Sequence, residues 1–177
     1  MLLRHHARAV LVLLVLVGCS PPAGPAPPEP SGNAPPAADA PAIATNEALR
    51  YVVDLERDER LGGHTIARHV GRTDAQLKAR LARESIAAAS TFVDLETAER
   101  IVARALAANE RRVQQWIARR GPRANLAIRY RARDGLPTGR LMRRGDDASR
   151  DVTGAVVVLR WRGDGYHVLT SYPENPR

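Results

Sequence analysis

The sequence predicts an α+β domain in which N-terminal helices are followed by an antiparallel β-sheet. Apolar residues recur at helical spacing as far as Gly121, and from Leu126 onward they alternate with polar ones. Near the C-terminus two β-rich runs, Val156–Trp161 and Tyr166–Tyr172, flank Arg162-Gly163-Asp164-Gly165, a segment typical of a hairpin turn. The 177 residues allow one such domain with a tail.

The first 46 residues are predicted to lie outside the fold. Residues 1–18 have the pattern of a signal peptide, because Arg4 and Arg8 precede an apolar run, Ala9–Val17, that is too short to span a bilayer. Residues 19–46 are rich in proline and alanine and hold too few large apolar side chains for a core, which indicates a disordered linker. The folded domain is therefore predicted over residues 47–177.

Four helical segments precede the predicted sheet. Thr73 and Gln76 have the spacing of a capping box and open the third segment, and Asp94 or Thr97 opens the fourth. The segments are, in order, Glu47–Arg60 with Asn46 as its N-cap, His64–Val70, residues 74–88, and a helix that ends near Gly121-Pro122. The strands that follow are Leu126–Arg131, a short strand at Leu141-Met142, and the two strands of the hairpin.

The charge of the chain favours an anionic partner. The net charge is +8, it belongs entirely to residues 47–177, and Lys78 is the only lysine among the cations. Arginine fits two phosphate oxygens at once, so an arginine-rich sheet face would attract a polyanion such as RNA. The alternative is that these arginines are merely solvated charges on strand faces. The single cysteine excludes an intramolecular disulfide and a thiolate-rich metal site.

The only cysteine follows the apolar run directly. The string Leu16-Val17-Gly18-Cys19 resembles the lipobox of bacterial lipoproteins, in which the signal is cut before the cysteine and the thiol carries diacylglycerol. This resemblance implies lipid anchoring at Cys19 in the cell envelope, and Ser20 in place of aspartate implies the outer membrane. The alternative is an ordinary signal peptide with an incidental cysteine.

Three histidines, His64, His69 and His167, lie beyond the predicted signal peptide. Two of them fall in the string Gly62-Gly63-His64-Thr65-Ile66-Ala67-Arg68-His69-Val70-Gly71-Arg72-Thr73. This string resembles the opening of the bacterial RNase A-like toxin domain found at the C-termini of contact-dependent growth-inhibition proteins. The agreement extends to Ser90-Thr91-Phe92, Asn109, Trp116 and the terminal Val168-Leu169-Thr170-Ser171-Tyr172-Pro173.

The resemblance implies a kidney-shaped single domain like that of pancreatic ribonuclease, without disulfides, that cleaves RNA without a metal or other cofactor. The family's catalytic set falls on His69, Arg80, Thr170 and Tyr172. An immunity protein is a partner that the family implies, although an enzyme that stays in its own envelope would not need one. The implied location is the cell envelope, with surface exposure or delivery to neighbouring cells as the routes to RNA.

These residue types suit cleavage by the 2′-hydroxyl of RNA. An imidazole titrates near neutral pH, so His69 can take the proton of the hydroxyl, and the Arg80 guanidinium can stabilise the phosphate charge. Thr170 and Tyr172 alternate with Ser171, so they are expected on one face of the last strand. The expected products are a 2′,3′-cyclic phosphate and a 5′-hydroxyl.

Several roles stay open at this point. His64 is a secondary candidate that more simply braces a turn, and it lies five residues from His69, a poor spacing for two metal ligands on one helix face. His167 is expected on the opposite strand face from Thr170 and is interpreted as structural. The general acid is not identified, and the second hypothesis is a catalytically inactive domain that serves as a binding module at the envelope.

Overall fold

The computed structural model describes residues 51–175. The predicted signal peptide, Cys19, the linker and the N-cap Asn46 lie outside the described residues. The helices are α1 (Leu55–Arg60), α2 (Thr65–His69), α3 (Asp74–Arg83), α4 (Leu95–Ala108) and α5 (Glu110–Ile117). The strands are β1 (Ala88–Thr91), β2 (Leu126–Arg131), β3 (Gly139–Arg143), β4 (Arg150–Val152), β5 (Gly154–Trp161) and β6 (Tyr166–Glu174). The predicted α+β class is confirmed.

The strands form two antiparallel sheets of three strands each, in the orders β1-β3-β4 and β2-β5-β6. The first sheet contains two strands that the sequence does not predict, β1 and β4. The predicted helix over 74–88 is wrong beyond Arg83, because Glu84 adopts an extended backbone and Ala88–Thr91 then pairs with β3. This pairing joins residues far apart in the chain, and such tertiary contacts override the local helical pattern.

Side-chain caps fix the helix starts. The predicted capping box is confirmed, since Thr73 accepts from the amide of Gln76 and the Gln76 side chain accepts from the amide of Thr73. Asp94 caps α4 by accepting from the Thr97 amide at 2.7 Å. The helix predicted over Glu47–Arg60 is wrong at residues 51–54, which are not helical. The helix begins at Leu55, and Asp54 is its N-cap.

The long fourth helix of the prediction is divided at Asn109. The Asn109 side-chain amide donates to the carbonyls of Ala105 at 2.9 Å and Arg129 at 3.0 Å. The first bond closes the end of α4 and the second ties this end to β2. Asparagine competes for backbone groups in this way, and so it favours helix ends over helix interiors.

One face of the β2-β5-β6 sheet carries the main core. Helices α4 and α5 pack on this face, and its inward residues include Ile128, Val157 and Leu159, each fully buried. Trp116 is buried here as well, and its indole donates to the carbonyl of Ala124. A second, smaller core joins α3 to the first sheet through Leu77, Leu81, Ala89 and Met142. The other face of the β2-β5-β6 sheet is left for the candidate site.

A β-bulge in β6 decides which side chains reach that other face. Val158 pairs with Thr170, whereas the next residue, Leu159, pairs with Val168, so Leu169 is an extra residue in β6. The bulge shifts the alternation, and Val168 therefore points into the core with Leu159 while Thr170 faces the opposite side. It also places His167, the partner of Arg160, on the same face as Thr170. The prediction that these two residues lie on opposite faces is wrong for this reason.

The free edge of β6 is covered by α1, α2 and the turn between them. The Val168 amide donates to Asp58, the His64 amide to the Leu169 carbonyl, and the Ser171 amide to the Thr65 hydroxyl, each at 2.9 Å. Gly63 permits this approach, since a Cβ there would lie 2.6 Å from the Val168 carbonyl oxygen. The contact brings α2 and its histidines against β6. Within residues 51–175 the structure has no helix with the length and apolarity needed to cross a membrane.

Candidate active site

His69 lies at the C-terminal end of α2 and is 7% exposed. Its Nδ1 lies 3.1 Å from the carbonyl oxygen of Ser90 in β1. A carbonyl only accepts, so Nδ1 carries the proton and Nε2 keeps a lone pair. No hydrogen bond from residues 51–175 occupies Nε2. The imidazole is thus oriented by β1 and is in the form that can accept a proton.

Tyr172 faces His69 from β6, and Thr170 lies on the same face of this strand. The ring centroids of His69 and Tyr172 are 5.4 Å apart, with the planes tilted by 34°. Burial raises the pKa of Tyr172, so its phenol remains a hydrogen-bond donor at neutral pH. The Thr170 hydroxyl oxygen is buried and has no hydrogen-bond partner among the described residues. A buried hydroxyl without a partner costs about 1–3 kcal/mol.

Arg80 lies on α3 and is held in a fixed orientation. Its Nε donates to Glu84 at 3.1 Å and its Nη1 to the carbonyl of Arg68 at 3.4 Å, and its side chain is 16% exposed. A guanidinium has five N–H groups, so three remain for a ligand. The charge of Arg80 acts on both His64 and His69, which places it within electrostatic reach of the two imidazoles.

His64 occupies the N-cap position of α2, but its side chain makes no capping hydrogen bond. The predicted turn-bracing role therefore belongs to its backbone, whose amide donates to Leu169 next to Thr170. The imidazole is half-buried, and its pKa is lowered by burial and by Arg68 and Arg80, against the opposing effect of Glu59. His64 thus lies beside the other candidates with a side chain that the fold does not use as a cap.

Burial is the main electrostatic influence on His69. It lowers the pKa of the imidazole to about 4, and the nearby charge of Arg80 acts in the same direction. The hydrogen bond to Ser90 opposes this shift only in part. His69 is therefore neutral at pH 7, which suits a proton acceptor and does not suit a proton donor.

We expect His69 to make the folded protein sensitive to acid. Its pKa falls from an ordinary 6.5 to about 4 on folding, so the unfolded chain binds more protons between these values. The stability that a neutral His69 contributes is complete above pH ~6.5 and is lost as the pH falls through ~4, by an amount on the order of 3 kcal/mol. Denaturant unfolding at pH 7 and pH 4 should show a smaller acid loss for His69→Asn than for the wild type. Asp58 and His167 titrate in both proteins, so an equal acid loss in the two would contradict this assignment.

The sequence interpretation did not assign roles to Ser90 and Glu84, which orient His69 and Arg80. Glu84 follows Arg80 by four residues, and this spacing was a usable signal because such pairs face each other on a helix. Ser90 offers no comparable signal, since only its backbone carbonyl is used. In the part of the chain that the structure covers, no group of three or more His, Cys, Asp or Glu side chains could hold a metal ion.

His167 lies on the same sheet face but is fully buried, and neither of its ring nitrogens has a hydrogen-bond partner among residues 51–175. It packs near the buried Asp58, whose carboxylate accepts from the Val168 amide. The charge of Asp58 favours the protonated form of His167, whereas burial and three nearby arginines oppose it. The structural role of His167 stays a prediction.

Comparison with known proteins shows which family has a similar sequence and fold. The family described as "Bacterial CdiA-CT RNAse A domain" matches residues 63–173, a stretch that contains all five candidate residues. The crystal structure of a CdiA-CT/CdiI complex from Y. kristensenii 33638 is similar, with 30% sequence identity and a TM-score of 0.56. The similarity covers 63% of this chain and 99% of that chain. No curated protein matches the chain significantly. The chain belongs to the bacterial CdiA-CT RNase A domain family.

Proposed function

We propose that this protein is an endoribonuclease of the toxin type that cleaves RNA through the 2′-hydroxyl, without a metal. The observation that carries the proposal is the His69 imidazole, held by Ser90 in the proton-accepting form beside Tyr172 and within reach of the Arg80 charge. Membership in the CdiA-CT RNase A domain family supports the nuclease class.

In the proposed reaction the 2′-oxygen attacks the adjacent phosphorus while His69 Nε2 takes the hydroxyl proton. The bond from phosphorus to the 5′-oxygen breaks, and a second group donates a proton to that oxygen. The products are a 2′,3′-cyclic phosphate and a 5′-hydroxyl. Because His69 is neutral at pH 7, the donor is a different residue, and the Tyr172 phenol beside it keeps its proton at this pH. The pKa of His64 is lowered as well, so its imidazole is the weaker candidate for this role.

The other candidates have roles that follow from their free donors. Arg80 has three N–H groups left to stabilise the extra negative charge on the phosphate oxygens as the 2′-oxygen attacks. The unpartnered Thr170 hydroxyl both donates and accepts, so it can position a base or a phosphate oxygen. Each role uses an atom that no described residue already occupies.

The test is incubation of the purified chain with a labelled RNA in EDTA, beside the same sequence as DNA. We expect cleavage of the RNA only, with cyclic-phosphate ends on the 5′ fragments. Cleavage of the DNA, or loss of RNA cleavage on addition of EDTA, would contradict the mechanism. Binding of RNA without cleavage would favour the second hypothesis, a binding module at the envelope.

The proposal extends to the partner and the location of the protein. The relative from Y. kristensenii was crystallised in complex with CdiI, and this supports a protein partner of the immunity type for this chain. The lipobox-like Cys19 supports lipid anchoring of residues 19–177 in the envelope after removal of residues 1–18. Mass spectrometry of the mature N-terminus tests this, and an unmodified terminus at another residue would contradict it.

A further inference from the structure

A pocket of about 260 Å³ lies between α2 and α3, and Arg80 forms part of its wall. Its walls combine small residues with charged ones. Four arginines line it, whereas Glu84 is its only carboxylate. The arginines are Arg68, Arg72, Arg80 and Arg83. Such an excess of fixed positive charge in a concave site favours an anion.

Two of the four guanidinium groups are available to a ligand. Arg72 is anchored by Nη2, which donates to the carbonyl of Ile66, and Arg80 is anchored by Glu84. The side chains of Arg68 and Arg83 are exposed and make no hydrogen bond or ion pair with any residue of 51–175. Each guanidinium presents paired N–H groups that match two phosphate oxygens, so a pocket with two anchored and two free guanidinium groups is well suited to a phosphate.

The pocket is continuous with the candidate active site through one residue. Arg80 belongs to both, and the charge of Arg68 also acts on His64 and His69. An RNA chain whose scissile phosphate lies at Arg80 would carry a neighbouring phosphate towards this pocket. Resting on the proposed function, we propose that the pocket is a second anion subsite that binds an RNA backbone phosphate adjacent to the scissile one, with Arg68 and Arg83 as its ligands.

The test measures binding rather than cleavage. The probes are two 2′-O-methyl RNAs, which lack the attacking hydroxyl: a decamer and a dinucleotide with a single phosphate. The variant of the full chain is R68Q/R83Q. The matched control is R111Q/R112Q, which removes the same charge from two exposed arginines on α5, outside the pocket.

For R68Q/R83Q we expect the affinity for the decamer to fall about tenfold or more, as for the loss of a charge-assisted hydrogen bond. The slope of log affinity against log salt should become shallower by about 0.7, the value for one phosphate contact on a single strand. Dinucleotide binding and the control pair should stay near wild type, and circular dichroism verifies that the variants fold.

The proposal is overturned if R68Q/R83Q loses no more than the control pair, if it weakens the dinucleotide as much as the decamer, or if the wild type does not bind the decamer. The proposed function fails separately, when the wild type does not cleave unmodified RNA. A wild type that cleaves RNA, together with an R68Q/R83Q variant that binds the decamer normally, rejects the subsite alone.

Discussion

Substitution of His69 by asparagine is expected to lower kcat for RNA cleavage by roughly 10²–10⁴-fold, the contribution of a positioned acid–base group. Asparagine can place its amide where Nδ1 lies and so keep the hydrogen bond to the Ser90 carbonyl, which is 3.1 Å from that atom. It has no group that accepts a proton at the position of Nε2. The loss should therefore fall on the chemical step while the fold is kept, and single-turnover cleavage of a labelled RNA measures it.

His167→Asn is the matched control for this variant. Both histidines are buried, so both substitutions perturb packing, but among residues 51–175 it is His69 that makes a ring contact with Tyr172, and His167 has no assigned part in the reaction. We expect His167→Asn to cleave RNA at a rate close to that of wild type.

The acidic limb of kcat/KM for the wild type should lie near pH 4, because burial lowers the pKa of His69 to about 4. A limb near pH 6.5 that disappears in His69→Asn would show that this pKa assignment is wrong.

Local signals predicted the fold well and long-range contacts limited the prediction. The capping box of Thr73 and Gln76 and the cap at Asp94 involve residues three apart, so the sequence shows them directly. Strand β1 was missed because Ala88–Thr91 owes its conformation to pairing with β3, about fifty residues later. Propensity cannot report such a contact, and the alanine-rich stretch before Ser90 reads as helix.

The sequence identified the residues of the candidate site but not their arrangement in space. The resemblance identified His69, Arg80, Thr170 and Tyr172, and the structure brings the first and last of them into ring contact. Alternation alone would give Val168 and Thr170 the same side of β6. The bulge at Leu169 separates them, so that Val168 completes the core while Thr170 faces the site. The tautomer of His69 likewise depends on the Ser90 carbonyl, 21 residues away.

Arg80→Gln is expected to reduce kcat by roughly 10²–10³-fold, the usual effect of removing one donor that stabilises developing negative charge. Arg80 is only 16% exposed and is oriented by Glu84 and the Arg68 carbonyl, so its remaining N–H groups are fixed before the substrate binds. Glutamine keeps a polar side chain but lacks both the positive charge and the paired N–H groups of the guanidinium. Because the charge on the phosphate grows in the transition state, the loss should appear in kcat more than in KM.

Two further variants separate this role from a general loss of charge. Arg104→Gln removes an arginine from a similar ion pair, 3.3 Å from Asp134, on a helix that packs against the opposite face of the sheet. It should leave kcat near wild type. Arg80→Lys retains the positive charge without the paired N–H groups of the guanidinium. Its kcat should lie between those of the wild type and Arg80→Gln, since lysine binds phosphate as a point charge. If Arg80→Gln and Arg104→Gln have the same kcat, the guanidinium of Arg80 contributes nothing specific to the reaction, and its assignment as the group that stabilises the phosphate charge is wrong.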